Sequence, residues 1–266
     1  MNLFLRELKA YRRSAITWAV SLGGIVLVFM ALYPAFSSDI EGLQEVLANF
    51  PEAIRALVNI NAETFLSVLG FYGYLLGFAW LAAGIQAMNI GVGIISKETT
   101  GKTADFLLSK PVTRAHVVTA KLAAALTVVL ITGGSFVALS YVAVSVASDE
   151  PFSGTALLLM ASTLLLVQLV FLALGALFSV LLPKVKSVVA VSLPTVFAFY
   201  IIGAIGDVLE NVELRWVSPF RYFDPLYMIT NESLEAEYLA VVAGFVVVAI
   251  AATYLIFAKK DIPTAS

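Results

Sequence analysis

The chain contains no cysteine, a single histidine and only 13% charged residues over its 266 positions. Without cysteine there are no disulfides, no thiolate metal sites and no thiol chemistry. His116 has no second ligand near it in the sequence, so an interfacial or helix-start histidine is the simpler reading than a metal site. Charge is absent where it would matter most for many membrane functions. The apolar runs 15–36, 65–95, 117–147, 155–182, 187–206 and 238–258 hold no Asp, Glu, Arg or His, and Lys121 is their one lysine. Proton- or ion-coupled transporters and intramembrane enzymes need ionisable groups at depth, so both classes are disfavoured. Ser140 and Ser192 have no base beside them to make a nucleophile.

What the chain has in quantity is apolar surface. It is 61% hydrophobic with a mean hydropathy of +0.96, against roughly 45–50% in soluble domains. Each of the six runs approaches or exceeds the roughly 20 residues that an α-helix needs to cross a bilayer core. The expected fold is therefore all-α: a polytopic membrane protein of six transmembrane helices, forming one domain over residues 1–266. The first run is too long for a signal-peptide core and has no small-residue cleavage site, so it reads as a span.

The net charge of −2 conceals a segregation in which only Arg55, Arg215 and Arg221 share the acidic gaps. Asp39, Glu41, Glu45, Glu52 and Glu63 fill the first gap, Asp149 and Glu150 the third, and Asp207, Glu210, Glu213, Asp224, Glu232, Glu235 and Glu237 the fifth. Arg6, Lys9, Arg12, Arg13, Lys97, Lys102, Lys110, Arg114, Lys121, Lys184, Lys186, Lys259 and Lys260 occupy the termini and the other gaps. Basic residues near span ends mark the cytoplasm, which puts both termini inside. Nothing forms a basic surface for nucleic acid. Single cysteines introduced near Ser153 and Asn231 should react with impermeant thiol reagents on intact cells, and one at Thr100 should not. Labelling of Thr100 from outside would reverse the orientation.

Several local patterns carry more than one reading. Ser96-Lys97-Glu98-Thr99-Thr100-Gly101-Lys102-Thr103 looks like a phosphate loop with its first glycine replaced. That loop works between a buried strand and a helix of a soluble domain, and here it follows a span, so nucleotide binding through it is rejected. In the second span Gly70, Gly77, Gly84 and Gly91 recur every seven residues, close to two helical turns, and so share a face. Small-residue faces let backbones approach in lipid. The face serves packing within the chain, or a seam between two copies or two moving bundles. Gln86 and Asn89 in the same span and Gln168 in the fourth could line a substrate path or hydrogen-bond between helices.

Outside the spans, Phe4, Leu8 and Tyr11 share a helical face away from most of Arg6, Lys9, Arg12 and Arg13, as in an interfacial helix lying along anionic headgroups. Leu43, Val46, Leu47, Phe50, Ile54, Leu57 and Val58 suggest a broken surface helix around Pro51. Trp216, Phe220, Tyr222, Phe223 and Tyr227, with Pro219 and Pro225, read as an interface-seeking aromatic stretch. In the second gap Thr103 can cap a short helix, with Asp105 in its first turn and Phe106, Leu107 and Leu108 giving it an apolar surface. Thr113 can cap the third span, whose first turns would bring Arg114 and Lys121 to the headgroups. The short helix is a docking knob or a plain amphipathic connector.

The run Glu98-Thr99-Thr100-Gly101-Lys102-Thr103-Ala104-Asp105-Phe106-Leu107-Leu108-Ser109-Lys110-Pro111-Val112-Thr113-Arg114, with Lys121 following, resembles the cytoplasmic signature of type-2 permeases of ATP-binding-cassette exporters. Asp105 stands where that signature more often has Glu, and Thr113 where it has Ser. The likeness extends to the basic N-terminal helix, Phe50-Pro51-Glu52-Ala53-Ile54-Arg55-Ala56-Leu57, the six spans, and Ser218-Pro219-Phe220 before the last. The resemblance implies a permease half that pairs with a second copy or a paralogue. It implies a coupling helix, carried by Glu98, Gly101, Thr103, Asp105, Phe106, Leu107, Leu108, Pro111 and Arg114, that docks into a separate cytoplasmic ATPase subunit.

The resulting expectation is the membrane subunit of an exporter, not itself an enzyme, in the cell membrane of a prokaryote and in contact with its lipids. It binds no metal and no cofactor of its own, ATP and Mg belonging to the partner. The alternative is a membrane anchor, sensor or immunity subunit coupled to an ATPase but moving nothing.

Overall fold

A computed structural model describes residues 3–37, 49, 67–100, 113–209 and 212–259, with the backbone alone at 98–100 and 212. The helices are α1 (Leu3–Ser37), α2 (Val68–Thr100), α3 (Arg114–Ala147), α4 (Gly154–Leu181), α5 (Val188–Val208), the short α6 (Val212–Val217) and α7 (Pro225–Asn231), and α8 (Ala236–Lys259). A 3-10 turn, Pro219–Arg221, joins α6 to α7. There is no strand among the described residues. Six of the helices, α1 to α5 and α8, are long and apolar enough to cross a membrane. The chain is a multi-pass, all-α membrane protein.

Polar side chains placed at the first turns set where helices begin. Thr113 Oγ1 accepts from the His116 amide at 3.2 Å, Ser153 from Ala156 at 3.1 Å and Ser187 from Ala190 at 3.3 Å. Each satisfies one of the amides that a helix start leaves without an intrahelical acceptor. Asp224 does the same for Leu226 at 2.8 Å, and Pro225 follows at the first helical position, where its missing N–H costs nothing.

The centre of the bundle is α2 lying along α4, each buried over most of its apolar length. α1 packs along α3 on one side, α5 against α2 and α8 against α4. α5, α8 and α1 keep wide apolar faces uncovered, including Ile16, Val20, Val189, Ile201, Val247 and Val248. In a membrane such faces meet lipid or another protein without penalty.

Three expectations are corrected by the structure. The N-terminal amphipathic segment is not a separate surface helix: it runs without a break into the first span as α1. No Gly or Pro separates Tyr11 from Ala15, and at 1.5 Å per residue the 35-residue helix is about 50 Å long, well beyond the ~30 Å core. Lys121 does not reach the headgroups; it is 1% exposed and paired inside the protein. The aromatic stretch lines the interface only in part: Trp216 is exposed, but Phe220, Tyr222 and Phe223 are buried among α2, α4, α5 and α8. The surface helix expected over 43–58 lies outside the described residues.

Candidate functional site

The end of the bundle that carries both termini is the basic end. Here Glu7, in the second turn of α1, is 3% exposed. Its carboxylate accepts from Lys121 Nζ at 2.8 Å and also pairs with Lys97, the last described side chain of α2. Lys121 also donates to the Ile94 carbonyl at 3.0 Å, and the Lys97 ammonium lies 4.9 Å from the centre of the Tyr11 ring. A buried charge needs partners of this kind, since leaving one unpaired would be strongly unfavourable. Three helices are thereby tied together at one point.

Between α2 and α3 runs the segment with the resemblance. Ser96 to Thr100 continue α2 as helix. Beyond that, Gly101, Thr103, Asp105, Phe106, Leu107, Leu108 and Pro111 lie outside the described residues, as does the side chain of Glu98. Arg114 is described: its guanidinium donates to the carbonyls of Ala258 at 3.2 Å and Phe257 at 3.5 Å. It thus caps the C-terminal end of α8, where a cation is favoured by the helix dipole.

In the middle of the bundle the glycines of α2 divide. A Cβ at Gly91 would lie 2.5 Å from the Leu172 carbonyl oxygen and 2.9 Å from the Gly175 Cα, and one at Gly175 would meet Met88 O at 2.8 Å. Backbone touches backbone there. A Cβ at Gly84 would meet the Phe171 ring at 3.0 Å and Phe220 at 3.3 Å. A Cβ at Gly77 would meet nothing within 4 Å among the described residues. A seven-residue repeat drifts by about 20° per step on a straight helix, so the stripe turns away from α4 toward its outer end. The Gly70 amide donates to Ser67 Oγ at 3.1 Å.

Gln86, Thr132 and Gln168 are all fully buried and join α2, α3 and α4. Gln168 Nε2 donates to Gln86 Oε1 at 2.8 Å and to Thr132 Oγ1 at 3.2 Å, and Gln86 Nε2 reaches the same hydroxyl at 3.2 Å. Asn89 faces elsewhere. A Cβ at Gly93 would lie 3.6 Å from Val188; one turn further along these antiparallel helices stand Asn89 on α2 and Ser192 on α5. Asn89 Oδ1 and Ser192 Oγ are buried with no hydrogen-bond partner among the described residues. Two unsatisfied oxygens therefore share one level of the α2–α5 contact.

From the other end, the segment from α6 to α7 enters the bundle and leaves again on the same side. Its tip is Ser218-Pro219-Phe220: Ser218 Oγ donates to the Phe199 carbonyl at 2.8 Å, and the Phe220 ring centre is 5.2 Å from that of Phe171. Phe171 and Phe199 are each about ten residues, or ~15 Å, from the basic ends of α4 and α5. The tip thus sits near mid-depth. Non-helical backbone survives there only when shielded by protein, and the shielding is specific. Arg221 pairs with Asp207 in the last turn of α5, and Arg215 pairs with Glu235 while lying 4.3 Å over the Tyr238 ring. Arg215 Nε donates to Arg221 O at 2.9 Å, and Tyr222 Oη to Trp216 O at 2.8 Å. A Cβ at Gly203 would fall 2.7 Å from Ser218 Oγ, so α5 has a glycine where the tip presses against it.

Sequence reasoning missed Glu7 and the descending segment. The signals were there: one acidic residue in an otherwise basic helix, and Arg215 and Arg221 amid aromatics between two prolines.

A family model described as "ABC-2 family transporter protein" matches residues 1–262. A comparison with curated proteins finds none that matches.

Proposed function

The chain belongs to the ABC-2 family of transporter proteins, and on that footing we propose that it is the permease subunit of an exporter, working as a dimer with two separate cytoplasmic ATPase subunits. As a member of that family it is a membrane transport component and not itself a catalyst. The observation that carries the finer reading is the loop between α2 and α3. It combines the family-like signature with Phe106, Leu107 and Leu108, three apolar side chains outside every span, and its two flanking helices are fixed by the Glu7 pairs.

In this reading the basic end is cytoplasmic, and residues 98–113, with Arg114 at the entry to α3, dock on the ATPase. ATP and Mg bind to that partner, and ATP is hydrolysed there. The α2–α5 contact, with Asn89 Oδ1 and Ser192 Oγ lacking partners, is the stretch of wall offering polar contacts to a passing substrate. Gln86 and Gln168 set the spacing of the helices behind it. Gly77, where an added Cβ would meet nothing within 4 Å among the described residues, is open to a second copy.

The test is direct. The isolated chain should neither hydrolyse ATP nor bind it saturably, while the complex reconstituted in lipid should hydrolyse it. Robust hydrolysis by the isolated chain would overturn the two-component reading.

A further inference from the structure

We propose that Glu7 is a positioning residue for energy coupling, joining the two helix ends that flank the 101–113 segment to α1 so that displacement of that segment is passed to α1. The inference rests on the docking role given to that loop above.

The geometry has three parts. Lys97 is the last described side chain before the loop, and Lys121 lies two turns after it, on a different helix. Both ammonium groups meet one carboxylate, at 2.8 Å for Lys121, and that carboxylate belongs to a third helix. Glu7 and Lys121 are 3% and 1% exposed, so water and salt screen the pair little.

Among the described residues the Glu7 carboxylate meets both Lys97 and Lys121; without it, the ends of α2 and α3 lose that attraction to α1. Lys121 is additionally held by Ile94 O at 3.0 Å and Lys97 lies over the Tyr11 ring, so the attachment to α1 on the Lys97 side has a second contact. α1 then carries the motion along α3, its most extensive neighbour, while its other face is uncovered. A purely local brace would need no such link between both flanks of the loop and one outer helix.

Because the chain has no cysteine, a Leu5→Cys variant carries a single bimane label on an exposed position of α1. The complex with its ATPase subunits, in nanodiscs, is given ATP and vanadate, and the bimane emission shift is read together with ATPase co-purification and hydrolysis. The label should respond in the otherwise wild-type complex. In Glu7→Gln the response should fall about fivefold or more, the scale of a lost site-to-site coupling, while the ATPase still co-purifies and hydrolyses ATP. Glu7→Asp should retain most of the response.

Lys97→Gln, at a partly exposed position, should weaken the response in the same direction and serves where Glu7→Gln does not fold. A full response in Glu7→Gln, or in Lys97→Gln if only that variant folds, would overturn the proposal. So would an unresponsive label in the wild-type background. Failure of the wild-type chain to retain an ATPase would instead remove the docking reading beneath it.

Discussion

Gly91→Leu is expected to keep α2 and α4 from packing and to leave little folded permease. A Cβ at this position would sit 2.5 Å from the Leu172 carbonyl oxygen and 2.9 Å from both Ala176 N and Gly175 Cα. These are backbone atoms of a helix, so no side chain can swing away to make room. Inserting extra methylenes into a well-packed core costs typically 1–3 kcal/mol; here two main chains must separate, which puts the cost at roughly 3 kcal/mol or more. In lipid there is little hydrophobic drive to bring helices together again once close packing is lost. The α2–α4 contact is the centre of the bundle, and the Gln86–Gln168 bond at 2.8 Å crosses it just over one turn away. The measurement is thermal unfolding in detergent beside Gly244→Leu, where an added Cβ would meet nothing within 4 Å among the described residues and which should melt like wild type. If Gly91→Leu melts with wild type as well, the helices do not meet as described.

Leu108→Asp is expected to separate the permease from its ATPase while leaving the permease folded. Phe106, Leu107 and Leu108 are apolar residues on a loop outside the spans, and burying such side chains against a partner is worth roughly 1.5–3 kcal/mol each. Replacing one by Asp removes that contribution and places an unpaired carboxylate in the interface. Together these should weaken binding by about 100-fold or more, since each 1.4 kcal/mol is tenfold. Asp105 precedes these residues in the sequence, and a pair it made with the ATPase would add little if exposed and more if desolvated. Arg114→Ala should be milder for partner binding. Its guanidinium holds the end of α8 through Ala258 O at 3.2 Å, so its loss should disturb how α3 and α8 move together more than docking itself. Co-purification of the ATPase with each variant, beside a thermal melt of the permease, reads both effects. Retention of the partner at wild-type levels by Leu108→Asp would make the loop a plain connector.

The span count and the all-α class were legible in the sequence because a bilayer leaves the backbone almost no alternative. An apolar run of about 20 residues must satisfy its own hydrogen bonds, and a helix does so. Three features were not legible, for distinct physical reasons. The continuity of α1 follows from the absence of a breaker between Tyr11 and Ala15, but amphipathicity alone fits a helix lying on the membrane as well as one entering it. Glu7 was invisible as a partner because its cations lie about 90 and 114 positions away, and only tertiary packing brings them to it. The aromatics around Phe220 have an interface composition, yet Asp207 and Glu235 neutralise Arg221 and Arg215, which lets the segment descend instead of staying at the surface. The glycine repeat was visible, but its unequal surroundings at Gly77, Gly84 and Gly91 depend on where α4 and Phe220 lie against α2.

Purification of the tagged wild-type chain from its own solubilised membranes, with its partners identified and quantified, tests the central claim most directly. The account predicts a cytoplasmic ATPase with a phosphate loop, in a complex of two permease chains and two ATPase chains. A chain that purifies without any such ATPase under conditions that preserve its fold would contradict it.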